Sequence, residues 1–318
     1  MTGMNVAVRA VSVVSTGMVD IRPQHLRSTG TPTMWWLLTS RRWTQPRPIN
    51  VYVVEHRDGL VLFDTGQDRA CVTDPSYFPS GFTGMLYRRL ARFEIAPDQT
   101  LSARLAAIGY DIRDVHTAVL SHLHQDHIGG LRELGHADIV VDRGEHQSLE
   151  QPRPEARGLL PKHIDLPGLR WRPVTPQPTG DPDLAPFTAA HDLFGDGRLM
   201  LLPTPGHTPG SLSMLVREPR ATPLLMVGDL TYDAYLMQDG HLPGLGQRAQ
   251  VGQSTRAVNL LRGRHPDLTI LPAHDPAAGA RLSASSWGRR PRPTAVDLPP
   301  NPSDQPHQQE RIDAYRRP

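Results

Sequence analysis

At 318 residues, with 38% apolar and 21% charged side chains, the chain can hold one large domain or two ordinary ones and is too apolar to be disordered throughout. Its 34 basic and 32 acidic residues nearly cancel; a formal charge of +2 sets up no phosphate-binding field, so nucleic acid is not an expected partner. The single Cys71 excludes an internal disulfide framework, and no apolar run reaches the length of a membrane span. The N-terminus sets Arg9 inside its apolar stretch with no charged lead-in, which fits a strand better than a signal peptide, so the expected location is cytoplasmic.

In chain order, strands are expected at 6–14, 49–54 and 60–63, each a short apolar run bounded by turn-forming residues. A helix is expected over 98–109, where Leu101, Leu105 and Ile108 share a face and Gly109 stops it. Strands follow at 118–120 and 139–141, then a short helix at 143–150. The segment 152–186 is rich in proline and reads as an internal loop or irregular insertion. Strands resume at 199–202, 212–216, 224–227 and 268–271, with a helix at 252–263 that buries Val258 and Leu261 behind a Ser254/Thr255 start. From 285 onward proline, charge and few large apolar residues predict a disordered tail, leaving one folded domain over 1–284. Sheets covered by interspersed helices, an α/β (α+β) arrangement, are the expected architecture.

Metal-capable side chains follow these strands directly. Asp64 follows 60–63; His122, His124, Asp126 and His127 follow 118–120; His207 follows 199–202; Asp229 follows 224–227; His274 follows 268–271. Strand ends hold side chains rigidly beside a cleft. In an extended segment His122 and His124 point to one side and can share an ion, while Asp126 and His127 in the following turn can address a second. Imidazole and carboxylate donors suit zinc best, with iron, manganese and cobalt as alternatives. Taken singly, His207 also fits a turn histidine, Asp229 a strand end and His274 a surface residue.

Together, these motifs resemble the metallo-β-lactamase superfamily from about residue 51 to 275. The resemblance implies a four-layer αββα sandwich with metals at one edge. It assigns His122, His124 and His207 to one metal and Asp126, His127 and His274 to the other, with Asp229 bridging and Asp64 orienting a ligand imidazole. Ser121–Gly130 and Thr204–Gly210, with Tyr232 three residues after Asp229, are most similar to N-acyl-homoserine lactonases. That likeness implies ring opening of a lactone by a hydroxide bridging two divalent ions, with Tyr232 donating to the oxyanion and Asp126 passing a proton to the leaving alkoxide. Tyr235 is the rival tyrosine. Met18, Trp35, Trp36, Phe82, Met85 and Tyr87 are the candidates for an acyl-chain wall, each of which also suits ordinary packing.

The 152–186 segment, the 67–97 segment and the tail depart from those lactonases. A glyoxalase II-type thioesterase shares the metal residues but carries a C-terminal helical domain, for which the sequence after His274 is too short and proline-rich. A zinc β-lactamase of the commonest type would have a cysteine at 229. Another esterase or lactonase of the fold, and a non-catalytic metal-binding homologue, complete the alternatives. A monomer or homodimer acting on a small lactone or ester is the expected state.

Overall fold

The computed structural model describes residues 6–289. A seven-stranded sheet has the order β4-β1-β2-β3-β5-β6-β7 and a six-stranded sheet the order β13-β12-β11-β10-β9-β8. The first is built from β1 (Val8–Ile21), β2 (Arg47–His56), β3 (Gly59–Phe63), β4 (Ala91–Glu94), β5 (Val115–Val119), β6 (Asp138–Asp142) and β7 (Arg170–Val174). The second comprises β8 (Gln177–Pro178), β9 (Ala189–Asp192), β10 (Leu199–Pro203), β11 (Leu212–Val216), β12 (Leu224–Gly228) and β13 (Thr269–Pro272). The helices are α1 (Pro23–Leu26), α2 (Thr33–Thr39), α3 (Ala70–Thr73), α4 (Gly81–Leu90), α5 (Leu101–Ala106), α6 (Arg143–Gln147), α7 (Pro161–Ile164), α8 (Ala234–Gln238), α9 (Arg248–Arg264) and α10 (Ala278–Ala284).

The strands read as unbroken apolar runs because both faces are covered. Alternate residues go to opposite sides. From β2, β3 and β5, Tyr52, Val54, Val61, Phe63 and Val119 meet Leu199, Leu201, Met214, Leu224 and Met226 of the other sheet in a shared core. Their neighbours Val51, Val53, Leu60, Leu62 and Ala118 face the opposite way, onto Leu101 and Leu105 of α5. On the far side, Met200, Leu202, Leu215, Leu225 and Val227 pack against Val251, Val258 and Leu261 of α9. Helix, sheet, sheet, helix is therefore the layer order.

Three expectations are corrected. The 152–186 segment is not a plain loop: it supplies α7, the parallel edge strand β7 and the short strand β8. Pro173 and Pro178 sit in strands because those strands lie at sheet edges, where a missing N–H breaks no inner ladder. The domain does not end at 284. Trp287 is buried in the intersheet core, with its indole N–H donating to the Thr222 carbonyl at 2.7 Å; the rest of the expected tail, from 290, lies outside the described residues. The first strand runs on to Ile21, because a shift of register between Ser15 and Met18, at positive-φ Gly17, bends the strand without ending it. Helices α2 and α4 were also not foreseen. Among the described residues no helix is long and apolar enough to cross a membrane.

Candidate metal centre

The cluster forms where β3, β5, β10, β12 and β13 end at one edge of the sandwich. After β5, Leu123 drops into the core beneath α5, fully buried, so that His122 and His124 on either side of it face the cleft. The turn that follows is sewn to the 64–66 loop: Thr65 N–H donates to the His127 carbonyl at 2.8 Å, and Gly129 N–H to the Gly66 carbonyl at 2.7 Å. Glu145, fully buried at the start of α6, accepts the Leu123 N–H and the Gly210 N–H, each at 3.1 Å. One carboxylate thereby ties the histidine loop to the Gly206–His207 loop. In that second loop Gly206 has φ +139, and a Cβ there would lie 2.4 Å from the Val251 nitrogen, so only glycine lets the loop meet α9.

Four of the five imidazoles are turned by a partner on the side away from the cleft, while His207 Nδ1 is buried with no hydrogen-bond partner among the described residues. His127 Nδ1–H donates to Asp64 Oδ2 at 2.8 Å. His274 Nδ1–H donates to the Pro48 carbonyl at 3.1 Å, and His124 Nε2–H to the Arg157 carbonyl at 3.1 Å. His122 Nδ1 bonds Ser121 Oγ at 2.9 Å, and that hydroxyl donates to Asp64 Oδ2 at 3.0 Å. Asp64 thus supports His127 directly and His122 through Ser121. It holds φ +62, unusual for a residue with a side chain, and is fixed there by the Ser121 N–H on Oδ1 at 2.7 Å.

The remaining atoms converge. His124 Nδ1 lies 3.0 Å from both His122 Nε2 and His207 Nε2. His274 Nε2 lies 3.4 Å from Asp126 Oδ2 and 3.3 Å from Asp229 Oδ1, and His127 Nε2 lies 3.4 Å from Asp229 Oδ1. Asp229 Oδ2 instead faces His207 Nε2 at 3.5 Å. The donor atoms of His122, His124 and His207 lie within 4.8 Å of one another, as do those of Asp126, His127 and His274, with Asp229 between the groups. His127 Nε2 and Asp229 Oδ1 are buried with no hydrogen-bond partner. Unpaired lone pairs 3 Å apart repel, and buried orphans are costly, unless a cation sits among them. The donor set therefore fits two divalent ions.

Electrostatics agrees. Burial, reinforced by the neighbouring imidazoles, drives the His122 pKa well below its usual value. Burial also takes His207 down to about 3, so both rings are neutral and ready to ligate. Burial would likewise lower His127, but the carboxylates of Asp64 and Asp229 outweigh it and hold its pKa well above the usual range. Burial alone would raise Asp229; His274, His127 and His207 instead hold its carboxyl well below the ordinary carboxylate range.

Tyr232 is buried beside this cluster, stacked on His274 with ring centroids 5.6 Å apart, and edge-on to His207 at 6.4 Å. Burial and Asp229, toward which its hydroxyl is directed, raise its pKa well above 10 and keep it a neutral donor. Tyr235 is 65% exposed and points elsewhere, its ring beneath the Arg281 guanidinium. Of the acyl-wall candidates, Trp36 is buried and meets His25, whose ring abuts Tyr232 edge-on at 5.7 Å. Met18 pairs with Pro48, whose carbonyl holds His274. Met85 is half-buried. Trp35 and Phe82 are on the surface, 65% and 62% exposed. Tyr87 is buried and its hydroxyl donates to the Glu155 carbonyl.

Sequence reasoning missed four groups. Burial, more than any other effect, lowers the His25 pKa to about 4, so this ring packs as a neutral wedge behind Tyr232. Arg47 donates to the Tyr232 carbonyl at 2.7 Å and the His274 carbonyl at 3.1 Å. Glu145 and the Arg157 carbonyl complete the support. None stands in a motif; a long-range partner is the only sign of each.

Residues 44–274 match the family description "Metallo-beta-lactamase superfamily", and the chain belongs to that superfamily. It is 32% identical over 238 residues to the N-acyl homoserine lactonase AttM of Rhizobium radiobacter, covering 74% of this chain and 84% of that protein. A probable metallo-hydrolase of Mycobacterium tuberculosis is 30% identical over 249 residues, covering 71% and 74% respectively. Among solved structures, an AiiA variant of B. thuringiensis with N-decanoyl-L-homoserine at its active site superposes with a TM-score of 0.67 at 20% identity, covering 85% of this chain and 94% of that one.

Proposed function

We propose that the protein is a dinuclear-metal hydrolase that opens the ring of N-acyl-homoserine lactones. One observation carries the metal reading: seven His and Asp side chains from four strand ends converge, and their unpartnered buried atoms call for cations. The 32% identity to a named lactonase over most of both chains, with Tyr232 set against His274 and Asp229, supports the lactone. His122, His124 and His207 would hold one ion, Asp126, His127 and His274 the other, and Asp229 both through its two oxygens. The nitrogen and oxygen donors suit zinc. When bound, such ions supply an activated water near neutral pH and polarise a carbonyl oxygen.

The chain's own residues do the rest. Asp64 fixes the Nδ1–H tautomer of His127 and, through Ser121, that of His122, leaving each Nε2 free to ligate. Tyr232 presents a neutral hydroxyl to the substrate carbonyl oxygen, where negative charge develops. Asp126, partly open to the cleft, carries a proton to the departing alkoxide. Met18, Trp36 and Met85 offer the apolar side of the cleft to the acyl chain, and Trp35 and Phe82 its outer rim. The single cysteine suits a reducing cytoplasm.

The deciding experiment incubates metal-loaded protein with homoserine lactones, simple γ-lactones, thioesters and phosphodiesters. Turnover of homoserine lactones above the other classes is expected. Turnover of thioesters or phosphodiesters alone would overturn the lactone reading.

A further inference from the structure

On the outer side of α8, away from the metal cluster, α8, α9, β13 and α10 enclose a surface cavity of about 440 Å³, a volume within the usual range for small-molecule sites. Arg262 and Arg281 both line it, beside Tyr235, Gln238 and Ser285. Arg281 uses Nη1 to bond Asp275 Oδ2 at 2.7 Å, while its Nη2 is buried with no partner. Arg262 makes no ion pair among the described residues. The lining carries one carboxylate, Asp267, and that residue is exposed. Leu268 and Ile270 add an apolar side.

Two arginines, one of them in no ion pair among the described residues, beside an exposed aromatic ring and an apolar wall make a specific demand. An anion satisfies the donors, and a planar or apolar group covers the ring and the wall. We propose that this cavity is a second binding site, separate from the metal centre, for a small organic carboxylate carrying an aromatic or apolar group. The carboxylate lies between Arg262 and Arg281, and the apolar part rests on Tyr235, Leu268 and Ile270. The site also touches the catalytic edge. Asp275, which holds Arg281, directly follows His274 and accepts the Ala234 N–H at 2.9 Å, two residues beyond Tyr232.

The test uses phenylacetate as the probe and isothermal titration calorimetry on the metal-loaded protein. Saturable one-to-one binding is expected, weakened about tenfold or more in Arg262→Gln and in Tyr235→Ala, a loss typical of a removed charge-assisted bond or aromatic contact. Both changes lie outside the metal centre, so hydrolysis without the probe should be unchanged in either variant. Absence of saturable binding would overturn the proposal. So would binding of equal strength in both variants together with competitive inhibition, because the carboxylate would then be held by the metal centre. None of these outcomes depends on which ester the enzyme cleaves.

Discussion

The sandwich carries a histidine–aspartate cluster at each of two opposite edges, and the two differ in what they lack. At the end of β2, far from the metal centre, buried His56 donates through Nε2 to Asp196 Oδ2 at 3.0 Å and accepts the Asp58 N–H on Nδ1 at 3.2 Å. Its ring stacks on Phe194 at 4.4 Å, and Arg57 pairs with Asp196 at 3.2 Å. Every polar atom of that imidazole is satisfied, so the cluster works as a clasp between the β2–β3 turn and the β9–β10 loop. At the other edge, lone pairs face one another and His127 Nε2 and Asp229 Oδ1 have no partner. Residue type does not separate a metal centre from a clasp; the state of the hydrogen-bond ledger does.

The comparison breaks most visibly at Asp229. Asp229→Ala removes the carboxylate between the two groups, and turnover should fall by about a thousandfold or more with loss of bound metal, read by steady-state kinetics and metal analysis. Asp64→Asn keeps the shape but weakens the support of His127 and, through Ser121, of His122; metal affinity should fall about 10- to 100-fold in chelator competition. Tyr232→Phe should lower kcat about tenfold or more while metal content stays at the wild-type level; unchanged kcat would remove the hydroxyl from the reaction.

Smaller effects sharpen the same contrast. In the metal-free protein the raised pKa of His127 means that this ring keeps a proton that an ion must displace. Metal affinity should therefore rise with pH, by about tenfold per unit for one proton released, until the folded-state pKa of His127 is passed. His122 and His207 are already neutral and should add nothing to that slope. At the clasp, His56→Ala should leave turnover and metal content unchanged while costing about 1–3 kcal/mol of stability in a denaturant titration, through the Asp58 N–H and Asp196 carboxylate left behind. Loss of metal in that variant would erase the distinction between the two edges.

Much of the catalytic edge was legible because its residues follow apolar strands at fixed offsets. Leu123 shows why: the core fixes it, and the core thereby fixes the facing of His122 and His124. The supporting groups were not legible. Glu145, Arg47 and His25 act on partners tens to hundreds of residues away, and the Arg157 carbonyl has no side-chain signature at all. The strand β7 was hidden by proline, whose usual meaning reverses at a sheet edge, and α2 by its two Thr and two Trp residues, which have weaker helical preference. Trp287 was masked by the polar composition around it.

The Arg157 carbonyl has a practical corollary. His124 reaches it only because Gly158, at φ +87, has no Cβ, which would otherwise stand 2.6 Å from the imidazole Nε2. Loop grafting meant to retarget this enzyme would naturally choose the proline-rich stretch, since it looks dispensable. A graft that omits this one peptide unit would leave an intact sandwich with a loosely held histidine, and the resulting poor catalyst would be blamed on the wrong substrate.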